Sequence, residues 1–155
     1  MTRFLLSAQR CIRSLNASAL IIKVSANART STISKASKNW SDDEIHQKIG
    51  QITSQFSILE CIDCAKAIRR WLRQQGISGK ILKLKTQNGE DYILSDRLEK
   101  LGLSQSITTN GQHFGVEVRG QVFDNLAEQG QSREKWVQDF RCHSKQFIVT
   151  EIESW

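Results

Sequence analysis

Between Ser41 and Ile152 the spacing of apolar positions changes from helical to alternating. Ile45, Ile49, Ile52 and Phe56 recur at helical spacing. They follow Ser41-Asp42-Asp43-Glu44, in which serine can cap a helix, Glu44 can close a capping box, and three acids sit at the positive end of the dipole. Ser57-Ile58-Leu59-Glu60 repeats the box and predicts a second helix. Its apolar set is Leu59, Cys61, Ile62, Cys64, Ala65, Ile68, Trp71 and Leu72, and Gly76 ends it. Arg69, Arg70 and Arg73 fall near its C-terminus, where the dipole favours cations. From Lys80 onward the period shortens. Ile81-Leu82-Lys83-Leu84 reads as a strand, Asn88-Gly89 as a turn and Tyr92-Ile93-Leu94 as the returning strand. Ser106 to Thr109 reads as a further strand. His113–Val118 and Gln121–Asn125 read as a hairpin across Arg119-Gly120. A short helix with Trp136 inward is expected over Ser132–Phe140, and a last strand over Gln146–Ile152. Helices followed by a mostly antiparallel sheet make an α+β layout.

Composition supports one folded domain and relocates the charge. The chain has 155 residues, 39% hydrophobic and 25% charged, enough to bury a core without disulfides or metal. The net charge of +6 would suggest nucleic acid. Residues 1–41, however, hold seven basic residues and no acid, leaving 15 basic and 16 acidic residues for the rest. The expected domain has no basic excess of its own, so no nucleic-acid partner is expected. The division predicted is a basic, acid-free leader over 1–40 and a domain over 41–155. The leader, rich in Ser, Thr, Ala and Arg, reads either as an organelle-type transit peptide or as an unstructured extension. Arg10, Arg13 and Lys23 interrupt its apolar pieces, which argues against a secretory signal and against a membrane span. Without a transit function, the expected setting is the cytoplasm or delivery as an effector.

The cysteines and histidines allow three readings. In the first, a thiol near a helix start is the nucleophile and a histidine its base, oriented by a third group. Cys61 holds that place on the second helix. Across a two-residue turn at Arg119-Gly120, Val118 faces Gln121 and Gly115 faces Asp124. His113, Gly115, Val122 and Asp124 then share one face, with His113 and Asp124 as diagonal neighbours. A slip of one residue would replace Asp124 by Asn125. The second reading is a zinc-stabilised, non-catalytic interaction module using Cys61, Cys64, Cys142 and His143, although an adjacent Cys-His pair is not the usual second half of a zinc site. In the third, the cysteines are small buried core residues, the role that best suits Cys64.

Glu60-Cys61-Ile62-Asp63-Cys64-Ala65, Gly79-Lys80-Ile81, Asn110-Gly111-Gln112-His113-Phe114-Gly115 and Val122-Phe123-Asp124-Asn125, with Trp136 downstream, resemble the type 2 papain-fold toxin domains of bacterial polymorphic toxin systems. The likeness runs from about Ser41 to Trp155. It implies a papain-like cysteine hydrolase fold, with the nucleophile on a helix packed against an antiparallel sheet that carries the base. By this resemblance Cys61 is the nucleophile, with Cys64 the alternative, His113 the base and Asp124 the residue that orients it. Papain-like enzymes place a glutamine six residues before the cysteine to help bind the oxyanion, and Gln55 has that spacing. The implied activity is a cysteine-dependent peptidase, deamidase or acyltransferase acting on protein amide bonds, with no cofactor. The implied partners are a protein substrate and an immunity protein.

Overall fold

The computed structural model describes residues 39–153, so the expected leader, apart from Asn39 and Trp40, lies outside the described residues. Helix α1 spans Asp42–Thr53, and both halves of its capping box are present between Ser41 and Glu44. Helix α2 spans Cys61–Gln75 and ends at Gly76 in the left-handed conformation, as a C-terminal glycine should. The start of α2 differs from expectation. Ser57–Glu60 forms a turn in which the Ser57 N–H donates to the Glu60 carboxylate (2.6 Å) and the Glu60 N–H donates to the Ser57 carbonyl (3.2 Å). Leu59 has φ +80°, which no right-handed helix accommodates, so the helix begins only at Cys61.

Five strands form one antiparallel sheet: β1 (Lys80–Thr86), β3 (Gln112–Val118), β4 (Gln121–Asp124), β5 (Ala127–Gln131) and β7 (Phe147–Ile152), in the order β5-β4-β3-β1-β7. The predicted hairpin between β3 and β4 has Val118 opposite Gln121, and Arg119 and Gly120 both have positive φ, which the tight turn requires. The predicted return strand after Asn88-Gly89 is not a partner of β1. Only Leu94–Ser95 (β2) is extended, and it pairs with Phe140–Arg141 (β6) in a separate two-stranded sheet. The distant β3 and β7 flank β1 instead. The strand expected at Ser106–Thr109 is an irregular loop held by the Ser106 hydroxyl and by an Ile107 N–H to Ile93 carbonyl bond of 2.9 Å. Two short helices, α3 (Asp96–Glu99) and α4 (Arg133–Gln138), complete the fold.

Alternation along the strands builds two cores. Ile81, Phe114, Val116, Val118 and Phe123 pack against Ile45 and Ile49 of α1 and Cys64, Ile68 and Leu72 of α2. Leu82, Leu84 and Val122 point the other way, with Ile93, Leu98, Ile107, Trp136 and Phe140. Both faces of the sheet are therefore covered, and the face carrying His113 is as buried as the one beneath the long helices. Cys61 packs with the first core and Ile58, three residues earlier, with the second, so the start of α2 lies where the two cores meet. Among the described residues no helix is long and apolar enough to cross a membrane.

Candidate active site

His113 stands near the start of β3, on the face of the second core, opposite Leu84 of β1. The residues before it place it there. The Asn110 carboxamide oxygen accepts from the Gln112 N–H at 3.1 Å, and Gly111 has φ +64°. A side chain on Gly111 would meet the Glu90 carbonyl at 1.9 Å, so this position admits only glycine. Gly115, two residues beyond His113, provides the second clearance. A Cβ there would press on Val122 at 2.8 Å and on the Trp136 indole at 3.0 Å. The spacing Asn-Gly-x-His-x-Gly is thus a tight approach followed by a seat for Trp136 beside the imidazole.

Continuing the β3–β4 register sets Gly115 opposite Asp124, and the His113 Nε2 lies 3.0 Å from the Asp124 Oδ2. Both residues are buried. The same Oδ2 accepts from Trp136 Nε1 at 2.8 Å and from Arg97 Nη2 at 2.6 Å, and Oδ1 accepts from the Leu126 N–H at 3.1 Å. Burial works against the charged carboxylate, but bonding to His113 and the charge of Arg97 win and hold Asp124 well below the usual carboxylate range, at about 2. Burial likewise opposes the imidazolium, but the bond to Asp124 outweighs it, and interaction with Cys61 adds to the effect. His113 is raised to about 9.

Cys61 is the first residue of α2, at the end of a helix where anions are stabilised. Its thiol acts on the His113 ring. Nε2 is taken by Asp124, and Nδ1 is buried without a hydrogen bond, which leaves Nδ1 free to exchange a proton. Cys64 lies one turn further into the core and is fully buried. Burial, with Asp124 and Cys61 nearby, pushes its thiol up to about 12.

The structure therefore brings Cys61, His113 and Asp124 together. Gln55 is not drawn in: it is exposed just past the end of α1, and its Nε2 donates to the Gln51 carbonyl at 2.8 Å. The zinc set is not assembled. Cys142 is buried beside the Ser144 hydroxyl (3.4 Å) in the loop before β7, and His143 is exposed. Among the described residues no three His, Cys, Asp or Glu side chains could hold a metal ion. The two elements of that expected site belong to different parts of the fold. Arg97 and its partner Asp139 were not visible as site residues in the sequence. They lie 27 and 15 residues from Asp124 in opposite directions, with no local motif to mark them. Trp136 was legible as a core residue but not as a donor to Asp124.

A family model described as papain fold toxin 2 matches residues 44–141. No curated protein and no solved structure gives a significant match to the chain.

Proposed function

We propose that this chain, which belongs to the papain fold toxin 2 family, is a cysteine-dependent hydrolase or acyltransferase acting on amide bonds of a protein substrate. The observation that carries this reading is one buried imidazole, His113, whose Nε2 lies 3.0 Å from Asp124 Oδ2 and whose ring also interacts with Cys61. Cys61 is the nucleophile, His113 the acid and base, and Asp124 the group that orients His113. His113 takes the thiol proton as general base, which leaves a thiolate at Cys61. The thiolate sulfur attacks the amide carbon, and the carbonyl becomes an oxyanion. The N–H groups in the first turn of a helix have no partner within it, so the start of α2 offers donors to that oxyanion. Gln55 joins them only by leaving the Gln51 carbonyl. His113 then gives its Nδ1 proton to the leaving amine as the C–N bond breaks. Water, losing a proton to His113, or an acceptor amine releases the acyl group and regenerates the thiol.

Cys64 is the weaker candidate because its thiol resists ionisation and lies under the helix. A thiol-reactive amide probe, read by fragment-level mass spectrometry on Cys61→Ala, Cys64→Ala and His113→Ala variants, tests the assignment. Labelling is expected to vanish in Cys61→Ala, to persist in Cys64→Ala and to fall by roughly 10²-fold or more in His113→Ala. Unchanged labelling in Cys61→Ala would overturn it. Toxicity on expression, suppressed by Cys61→Ala, would extend the reading to a toxin that needs an immunity partner.

A further inference from the structure

We propose that Arg97 is a positioning residue for the His113 imidazole, acting through Asp124, and that Asp139 is the residue that aims it. The inference rests on the proposed roles of Cys61 and His113. Three side chains donate to the Asp124 Oδ2: His113, Trp136 and Arg97. They differ in what they do during turnover. Trp136 is neutral, and His113 loses its proton each time it acts as an acid. Arg97 alone stays cationic throughout. When His113 is neutral, Asp124 would be a lone carboxylate in a site from which water is excluded, a state of high cost. The contact with Arg97 keeps that carboxylate charged, so it can accept from Nε2 again and return the ring to the same orientation.

Arg97 does not belong to the sheet that carries His113 and Asp124, so its aim must come from elsewhere. Asp139 supplies it with one carboxylate. Oδ1 accepts from the Arg97 N–H at 2.9 Å, and Oδ2 accepts from Arg97 Nε at 2.9 Å and from the Ser95 hydroxyl at 2.6 Å. The Asp139 carbonyl also accepts from the Asp96 N–H at 2.8 Å. Backbone and side chain of Arg97 are thereby fixed together, and Nη2 is left to reach Asp124. Asp139 caps α4, the helix that carries Trp136. One short helix thus delivers two of the three donors on Oδ2, Trp136 directly and Arg97 through Asp139. Arg97 touches neither Cys61 nor the imidazole by any hydrogen bond or ion pair, which makes it a positioning residue and not a catalytic one.

The test uses the folded chain with three variants: Arg97→Met, Arg97→Lys and Asp139→Asn. The ¹³C titration of the Asp124 carboxyl and the Nε2–H proton resonance of His113 are followed by NMR, and iodoacetamide alkylation of Cys61 is followed in parallel. In Arg97→Met the Asp124 midpoint should rise by about one pH unit or more and the His113 resonance should move, with at least ~tenfold slower alkylation at neutral pH. Arg97→Lys should recover most of the Asp124 shift but not the alkylation rate, because one ammonium cannot span both carboxylates. Asp139→Asn, which keeps Arg97 but frees it, should move the same signals by less, and it decides the matter if Arg97→Met does not fold. Unchanged Asp124 and His113 signals in a folded variant would overturn the inference. If those signals move while wild-type Cys61 alkylation proves independent of His113, the positioning role stands and the proposed catalytic role of Cys61 falls.

Discussion

The Asp124 carboxylate and the His113 imidazole meet at 3.0 Å from diagonal positions on one hairpin, both buried. The pair is an ion pair in form, since Asp124 is held below and His113 above its usual range. Asp124→Asn keeps the shape and removes the charge. His113 should then titrate well below about 9, and below an ordinary histidine if burial is left unopposed. Histidine ring resonances followed against pH measure this directly. A His113 midpoint unchanged in Asp124→Asn would show that Asp124 is not what holds the proton.

The same pair sets a pH dependence of stability whose sign can be worked out. His113 has a folded pKa above its ordinary 6.5, so its contribution is full below about pH 6.5 and is lost as pH rises through about 9. Asp124 has a folded pKa below its ordinary 3.8, so its contribution is full above that value and is lost as pH falls through about 2. Together they place the maximum of this contribution between roughly pH 4 and 6.5, with a size on the order of 2–3 kcal/mol that the two partners share. Urea unfolding of wild type and Asp124→Asn should differ most near pH 5.5, and the gap should narrow by pH 10. A gap that widens with alkali would contradict the pairing.

Gly115→Ala should act on the site through packing. The added methyl meets Val122 and the Trp136 indole, which donates to Asp124. Overpacking of this kind costs about 1–3 kcal/mol. Because Trp136 must shift, its fluorescence and the His113 titration should change together. A loss of stability with an unmoved His113 would mean that the indole yields without releasing Asp124.

Local pattern made the pair legible and left its support hidden. The turn at Arg119-Gly120 fixes the register by backbone conformation alone, and strand alternation then sets His113 beside Asp124. The start of α1 was equally plain, because a capping box is a four-residue signal. The misreadings share a cause. The segment after Asn88-Gly89 has a turn signal and apolar residues, but β1 already has partners in β3 and β7, whose paired residues lie 27–37 and 61–71 positions away in sequence. Ser57–Glu60 has the letters of a capping box, yet a contact from Asn125, 68 residues on, favours a turn there. Arg97 and Asp139 are ordinary surface-type residues until the fold brings Arg97 to Asp124 and Asp139 to Arg97.

That contact of Asn125 leads to the last prediction. Its Nδ2 donates to the Ser57 carbonyl at 2.6 Å, joining the end of β4 to the turn that leads into Cys61. Asp124 holds the imidazole and its neighbour holds the approach to the thiol, so one dipeptide sets both halves of the site. Asn125→Ala removes the tie and should cost about 1–2 kcal/mol. Asn125→Asp should do no better, because an ionised carboxylate cannot donate to a carbonyl. Leu59, between Ser57 and Cys61, holds a left-handed backbone at φ +80° that is unfavourable for a leucine, so the turn would relax once released. Cys61 alkylation should therefore slow in both Asn125 variants while the His113 titration stays near its wild-type midpoint. Leu59→Gly, which accepts the left-handed backbone without strain, should restore part of the alkylation rate in the Asn125→Ala background. If alkylation is insensitive to Asn125 while stability falls, the tie serves the fold alone and the geometry of Cys61 is set within α2.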